Sequence, residues 1–378
     1  MKVAVTTLAF CAAALLALGL VMLYSSTMTT SAGAHDLMMQ LVWCALGFVL
    51  CVTATALNYQ LLKKFAWLAY SFALILLTLV FAPLIGHASH GAHRWIGRGH
   101  FTLQPSEFAK LALIIILAWY GDRNQRQMHT WKRGILIPMA IMGLALGLIF
   151  IEPDRGQTIL IAAVSVAMLL IAGVRWRFIL ILVFFSAAGV AFSLLHDSMR
   201  KGRISAWLHP EAHAGGAALQ AQQAMIGLGS GGWCGVGLGN GLQKNGYLPE
   251  IQTDFIFANI GEELGLIATL FVVVSFVLIA ICGIYIAMRA RDTFGFLLAS
   301  GITFLISLQA AINIGVVTSA LPNKGLPLPF ISYGGSNLLA MLVCIGLLFS
   351  VARHAPMRGK ISKAVTEADE NPFVAKAT

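Results

Sequence analysis

Apolar stretches of about twenty residues recur along almost the whole chain, and they limit the fold more than any other feature. A bilayer core is crossed by roughly 20 apolar helical residues. Ten stretches qualify: 5–24, 38–57, 66–86, 104–121, 134–152, 158–173, 177–196, 255–288, 294–318 and 336–352. Only 11% of the residues are charged, against roughly 25% in soluble domains. Backbone groups cannot stay unpaired in lipid, so such stretches must be helical. The pattern predicts an all-α polytopic membrane protein with about ten transmembrane helices and excludes a soluble domain. The first stretch runs from Val5 to Leu23 with no clear cleavage site and reads as a retained span. The eighth is too long for one simple crossing and should include a helical section on the loop side.

Lys and Arg orient the chain. With the N-terminus inside, sixteen of the twenty-five basic residues fall on inner segments, eight fall outside and Lys110 lies within a span. The positive-inside rule then puts both termini in the cytoplasm. The net charge of +10 is spread over short loops, which marks topology and excludes a nucleic-acid stripe. Residues 1–353 form the membrane domain, and 354–378 read as a flexible cytoplasmic tail. Two outer loops are sizeable, at about 87–103 and at about 197–254 between spans seven and eight. A loop as long as the second is usually functional. Five of the six cysteines lie in apolar spans, only Cys234 lies in a loop and no CxxC occurs, so no disulfide framework is expected.

The chain has fifteen acidic residues, and Asp254, Glu262 and Glu263 fall within ten positions of one another. A carboxylate at or inside a bilayer is costly and suggests a functional site. Asp254 stands where the long outer loop enters span eight. Partial desolvation there should raise its pKa and make it a better base. The structural alternative is a helix N-cap.

Glu107 and Lys110 share a helix face about one turn below the outer surface. They either neutralise each other or open a polar cavity in which Lys110 meets a phosphate. Glu152, Pro153, Asp154, Arg155 and Gly156 close span five, where Asp154 could act or the turn chemistry alone could explain the run. Arg94 and Arg203, the latter near Arg200 and Lys201, are basic residues on the outer face. They fit either pyrophosphate binding or ordinary solvated charge.

The run GLGSGGWCGVGLGNG from Gly227 contains a GxGxxG match, but no βαβ unit surrounds it, so no nucleotide is expected. Flexible turns or close backbone approach to a ligand explain its glycines better. His87, His90, His93 and His100 lack interleaved Asp, Glu or Cys and read as loop histidines rather than a metal site. The run LPNKGLPLPFISYGGS from Leu321 cannot form a regular helix. It must be covered by protein or line a cavity, which Lys324 and Ser332 could face.

Four runs carry a family resemblance: YLPEIQTDFIFANIGEELG, LPNKGLPLPFISYGGS, RWIGRG followed by QPSEFAK, and EPDRG. Together with the ten spans, they resemble the SEDS family of shape, elongation, division and sporulation proteins, over nearly all of the chain up to about Arg353. The form KNGYLPE and the LPNKG run are more similar to the division members than to the elongation members. Gln252 departs from a usual His, Glu152 and Arg155 from a Gln-Pro-Asp-Leu-Gly pattern, and Asn323 from a Thr.

The resemblance implies a peptidoglycan glycosyltransferase that polymerises lipid II on the outer face of a bacterial cytoplasmic (inner) membrane, in septal growth. It carries the family's presumed catalytic carboxylate onto Asp254, the cavity pair onto Glu107 and Lys110, and the Pro-Asp-x-Gly aspartate onto Asp154. The donor would be a glycan on undecaprenyl pyrophosphate and the acceptor lipid II. Lys110, Arg94, Arg203 or a divalent cation, Mg or Mn, would offset the charge of the leaving pyrophosphate. A class B penicillin-binding protein transpeptidase and other division proteins would be partners, in contact with membrane lipid. The rival classes are a flippase for lipid-linked precursors, with Glu107, Lys110 and Glu262 lining its path, and a non-catalytic division scaffold.

Overall fold

A computed structural model of the chain describes residues 1–28, 33–82, 86–89, 92–97, 102–181, 183–184, 189, 202, 205, 207–208 and 217–356; at 86–89, 92–93 and 217–218 it describes the backbone alone. Ten α-helices and one hairpin have defined bounds. They are α1 (Lys2–Thr27), α2 (Gly33–Ala56), α3 (Gln60–Leu79), β1 (Gly86–Ser89), β2 (Ala92–Ile96), α4 (Pro105–Asn124), α5 (Ile137–Ile151, continuing a π-helical turn at Lys132–Leu136), α6 (Arg155–Ile171), α7 (Ala217–Ser230), α8 (Ile256–Met288), α9 (Thr293–Val317) and α10 (Gly335–Arg353).

Seven of these helices are long and apolar enough to cross a membrane: α1, α2, α3, α5 with its π turn, α8, α9 and α10. The shorter apolar α6 and the twenty-residue α4 coincide with two more of the predicted stretches. Helix α4 is less apolar because it carries Glu107, Lys110, Asp122 and Arg123. The remaining expected span, 177–196, lies mostly outside the described residues, with helical backbone over 176–181 at its start. Arg203 and the tail from 357 also lie outside them.

Several details differ from the sequence expectation: α2 begins at Gly33 rather than 38, and α3 ends at Leu79 rather than 86. Helix α3 begins six residues before the predicted 66 and takes in Lys63 and Lys64, whose long stems can lie along an apolar surface with the charge in water. The first outer loop holds the antiparallel hairpin β1–β2, a small addition to the all-α architecture. The long outer loop contains helix α7, which packs on α8.

Helices α4, α9 and α10 form the interior of the bundle. Helix α9 packs on α8, α4 and α6, and α10 packs on α2. Gly47 on α2 and Gly346 on α10 sit where a Cβ would strike the opposite helix, so their lack of a side chain allows the close approach.

Helix α8 is two helical pieces. Gly265 breaks it, with φ +76° and ψ −168°, a conformation only glycine adopts without strain. A break leaves carbonyls and N–H groups unpaired, and in lipid each must find a partner. The glycine run supplies the partners. The N–H groups of Val236 and Gly237 donate to the carbonyls of Glu262 and Glu263, at 3.0 Å each. Leu266 and Ile267 donate to the carbonyls of Gly232 and Trp233, at 2.9 and 3.3 Å. A Cβ on Gly231 or Gly235 would collide with the backbone of Gly261 or Glu263. The glycines are therefore packing requirements, and the nine residues 256–264 become a separate short helix on the outer side of the break.

Candidate active site

Asp254 lies two residues before that short helix. Its carboxylate does not cap the helix: the N-cap residue is Phe255, with no side-chain cap bond. The backbone around it is fixed from two sides. From α9, Asn313 Nδ2 donates to the Asp254 carbonyl at 2.8 Å and to the Leu326 carbonyl at 2.7 Å. From the loop before α10, Ser332 Oγ donates to the Thr253 carbonyl at 2.5 Å and accepts from the Leu328 N–H at 2.7 Å. Tyr333 N–H donates to the Gln252 carbonyl at 3.0 Å. Ser332 is thus a buried strut and does not face a cavity.

The irregular run 321–334 passes directly over the acid. A Cβ on Gly325 would overlap the Asp254 carboxylate, and one on Gly156 would lie 3.2 Å from the Gly325 carbonyl. Glycine at both positions lets this loop, the start of α6 and the carboxylate meet. Lys324, next to Gly325, is half-buried.

Burial raises the Asp254 pKa to about 7, helped by the negative charges of Glu250 and Asp154 and opposed by Arg94. Glu152, at the end of α5, is pushed up to about 8 by burial first and the Asp154 charge second, again opposed by Arg94. Neither buried oxygen of Glu152 has a hydrogen-bond partner among the described residues. Arg94 reaches this corner from β2, its Nη2 donating to the Pro153 carbonyl at 2.8 Å. Arg155 stacks its guanidinium over the Phe150 ring at 3.1 Å.

A buried polar chain runs inward from here. Asp154 caps α6 by accepting from the Gln157 N–H at 3.2 Å and also accepts from Gln104 Nε2 at 3.1 Å. Gln157 Nε2 donates to Glu107 Oε1 at 2.6 Å. Glu107 Oε2 lies 2.7 Å from Lys110 Nζ. Lys110 donates to Gln309 Oε1 at 3.0 Å, and Gln309 donates to the Pro327 carbonyl at 2.8 Å and to Asn337 Oδ1 at 3.1 Å. The chain joins α4, α6, α9 and α10 to the loop that covers Asp254.

The structure therefore brings Asp254, Asp154 and Arg94 to one corner, joined through Asp154 and Gln157 to Glu107 and Lys110, with Lys324 adjacent in sequence to the Gly325 that lies against Asp254. Glu262 and Glu263 belong elsewhere. Glu262 accepts from the Leu242 and Gln243 N–H groups, at 2.8 and 3.2 Å. Glu263 pairs with Lys244 Nζ at 3.0 Å and accepts from Ser25 Oγ at 2.5 Å. Glu262 thus has a structural role and does not line a passage.

Sequence reasoning missed Gln104, Gln157, Gln309 and Asn313 as site residues. Gln309 and Asn313 lie four apart on one face of a mostly apolar span, and that pair of amides was the available signal. Among the described residues no three His, Cys, Asp or Glu side chains converge as metal ligands. His90 and His100 lie outside the described residues, as do the side chains of His87 and His93.

Residues 6–357 match the family model described as "Cell cycle protein", which groups FtsW, RodA and SpoVE. The chain is 40% identical over 358 residues to the probable peptidoglycan glycosyltransferase FtsW of Trichlorobacter lovleyi, covering 93% of this chain and 94% of that one. It is 39% identical over 351 residues to the Coxiella burnetii protein of the same name, covering 90% and 94%. Its fold is similar to a chain of a peptidoglycan synthase complex that coordinates polymerisation and crosslinking, with TM-score 0.77, 26% identity and coverage of 92% and 96%. It is also similar to the rod shape determining protein RodA of Thermus thermophilus, with TM-score 0.68, 26% identity and coverage of 93% and 97%. The chain belongs to the FtsW/RodA/SpoVE family of cell cycle proteins.

Proposed function

We propose that this membrane protein is a peptidoglycan glycosyltransferase that polymerises lipid II during septal growth, with Asp254 as its general base. The observation that carries the reading is the state of Asp254. Its backbone is held by Asn313 and Ser332, its carboxylate has no capping duty, and its pKa is about 7. A base with a pKa near the working pH combines an adequate ionised fraction with proton affinity.

Asp254 would take the proton from the acceptor sugar's 4-hydroxyl as that oxygen attacks the donor's anomeric carbon. The bond from that carbon to undecaprenyl pyrophosphate breaks, and the pyrophosphate leaves with the electron pair. Single-displacement chemistry with one carboxylate base inverts the anomeric centre. Arg94 and Lys324, and Arg203 from the long loop, are the cations assigned to the departing charge. Lys110 is fully buried and already bonded to Glu107 and Gln309, so it positions the site from below. A divalent cation, magnesium or manganese, enters this reading as a companion of the pyrophosphate.

The partner in this reading is a class B penicillin-binding protein transpeptidase, which the likeness to the synthase complex supports. The protein would reside in a bacterial cytoplasmic membrane with both termini inside.

Purified protein incubated with lipid II, alone and with a cognate transpeptidase, tests the reaction class. The expected product is a ladder of glycan strands. Movement of labelled lipid II across vesicles without polymer would establish the flippase instead. Neither polymer nor movement, even with the transpeptidase, would leave a scaffold.

A further inference from the structure

The glycine-rich segment 231–247 has an unusual combination of a fixed backbone and outward apolar side chains. Its backbone is fastened at the α8 break by the bonds of Val236, Gly237, Gly232 and Trp233. It is fastened again where Glu262 receives the Leu242 and Gln243 N–H groups. Lys244 turns inward to Glu263 Oε1 at 3.0 Å and the Gly239 carbonyl at 2.5 Å. Residues 231–243 contain no charged side chain.

On this fixed frame Trp233 is 71% exposed, Leu242 64%, Tyr247 60% and Leu238 52%. A rigid loop cannot fold such side chains away, and a contiguous exposed apolar patch marks an interaction surface.

Position identifies what covers the patch. The Trp233 carbonyl accepts from the Ile267 N–H, and Ile267 begins an exposed stripe on α8 that continues through Leu270, Phe271 and Val274. That stripe faces lipid in a helix that crosses the membrane. At the other side, a Cβ on Gly239 would lie 3.9 Å from Met28 Sδ. Met28 and Tyr24 are the exposed outer end of α1, which packs against α8. The segment thus bridges the outer ends of two lipid-facing stripes. Trp and Tyr are the residues that favour the headgroup level, where one side of the ring is apolar and the other wet.

We infer that segment 231–247 is seated in the outer leaflet, with bilayer lipid covering Trp233, Leu238, Leu242 and Tyr247. It is a membrane-embedded wedge within the loop that the sequence places between spans seven and eight. The inference is independent of the glycosyltransferase reading.

The test uses the full chain in vesicles of phosphatidylethanolamine and phosphatidylglycerol. A nitroxide is attached at exposed Cys234, with half-buried Cys44 replaced by Ala. The expected result is greater collisional relaxation by oxygen than by a water-soluble nickel chelate. In a second measurement, Trp233 emission is taken as the difference between wild type and Trp233→Phe, with lipids brominated near the headgroup. The expected result is loss of most of that emission. Greater relaxation by nickel, or unquenched Trp233, would overturn the inference and give the patch to water or to a protein partner.

Discussion

Asn313 holds Asp254 by its backbone: one amide on α9 donates both to the Asp254 carbonyl and to the Leu326 carbonyl of the covering loop. The acid and the loop above it are therefore fixed to the same point on an interior helix. Replacing Asn313 with Leu removes both bonds and leaves two carbonyls without this donor. Each such loss costs about 1–3 kcal/mol. The variant should melt earlier and lose kcat more than KM in a polymerisation assay, because the substrate's distant contacts are untouched.

The Asp254 pKa of about 7 predicts an acid limb in the pH dependence of polymerisation. The base must be ionised, so the rate should rise through about pH 7 and level above it. The stability effect has the opposite sign. The folded-state pKa is raised, so this group's contribution is complete below the unfolded value of about 4 and is lost as pH rises through 7. Asp254→Asn should therefore melt higher than wild type at pH 8 and show no such advantage near pH 4, which thermal unfolding at the two pH values would show.

Glu152 should be uncharged at neutral pH, since its pKa is raised to about 8 and its oxygens lack partners. Above pH 8 it becomes a second anion beside Asp154 and competes for Arg94. Wild-type KM for the pyrophosphate-linked donor should then rise. Glu152→Gln should match wild type at pH 7 and keep its low KM at pH 9.

Glu107 and Lys110 form a buried pair within the polar chain. Removing one partner of a buried ion pair typically costs about 3–5 kcal/mol. Lys110→Met should express poorly, and adding Glu107→Gln should restore much of the folded yield by removing the stranded charge. Size-exclusion profiles of the two variants provide the comparison.

The break at Gly265 should tolerate no side chain. Gly265→Ala places a Cβ against the Trp233 carbonyl and the Gly235 N–H in a conformation that costs a non-glycine residue about 1–3 kcal/mol before any collision. The folded yield should collapse, whereas Gly229→Ala, where nothing lies near the added atom, should fold.

The spans were legible because lipid imposes one simple rule on long apolar runs. The excess length of 255–288 also announced that α8 could not be one straight crossing, and Gly265 divides it. What the glycine run does was not legible. Its partners, Glu262, Glu263, Leu266 and Ile267, lie about thirty residues downstream, and backbone pairing across that distance has no local signature. The same holds for Ser332, which reads as a cavity residue from its place in a run that cannot form a regular helix but spends its hydroxyl on Thr253 and Leu328. At the site, the charged residues stood out by their scarcity in apolar sequence. The amides Gln157, Gln309 and Asn313 carry no charge; the four-residue spacing of Gln309 and Asn313 stood in the sequence, but their partners became visible only when the helices were packed.

The most direct test of the central claim is single-turnover glycosyl transfer by purified wild type and Asp254→Asn, with lipid II binding measured in the same samples. The account predicts near-equal binding and a rate lower by about 10²–10⁴-fold, the usual contribution of a general base. A variant that binds lipid II and retains a tenth or more of the wild-type rate, on roughly that scale, would contradict Asp254 as the base.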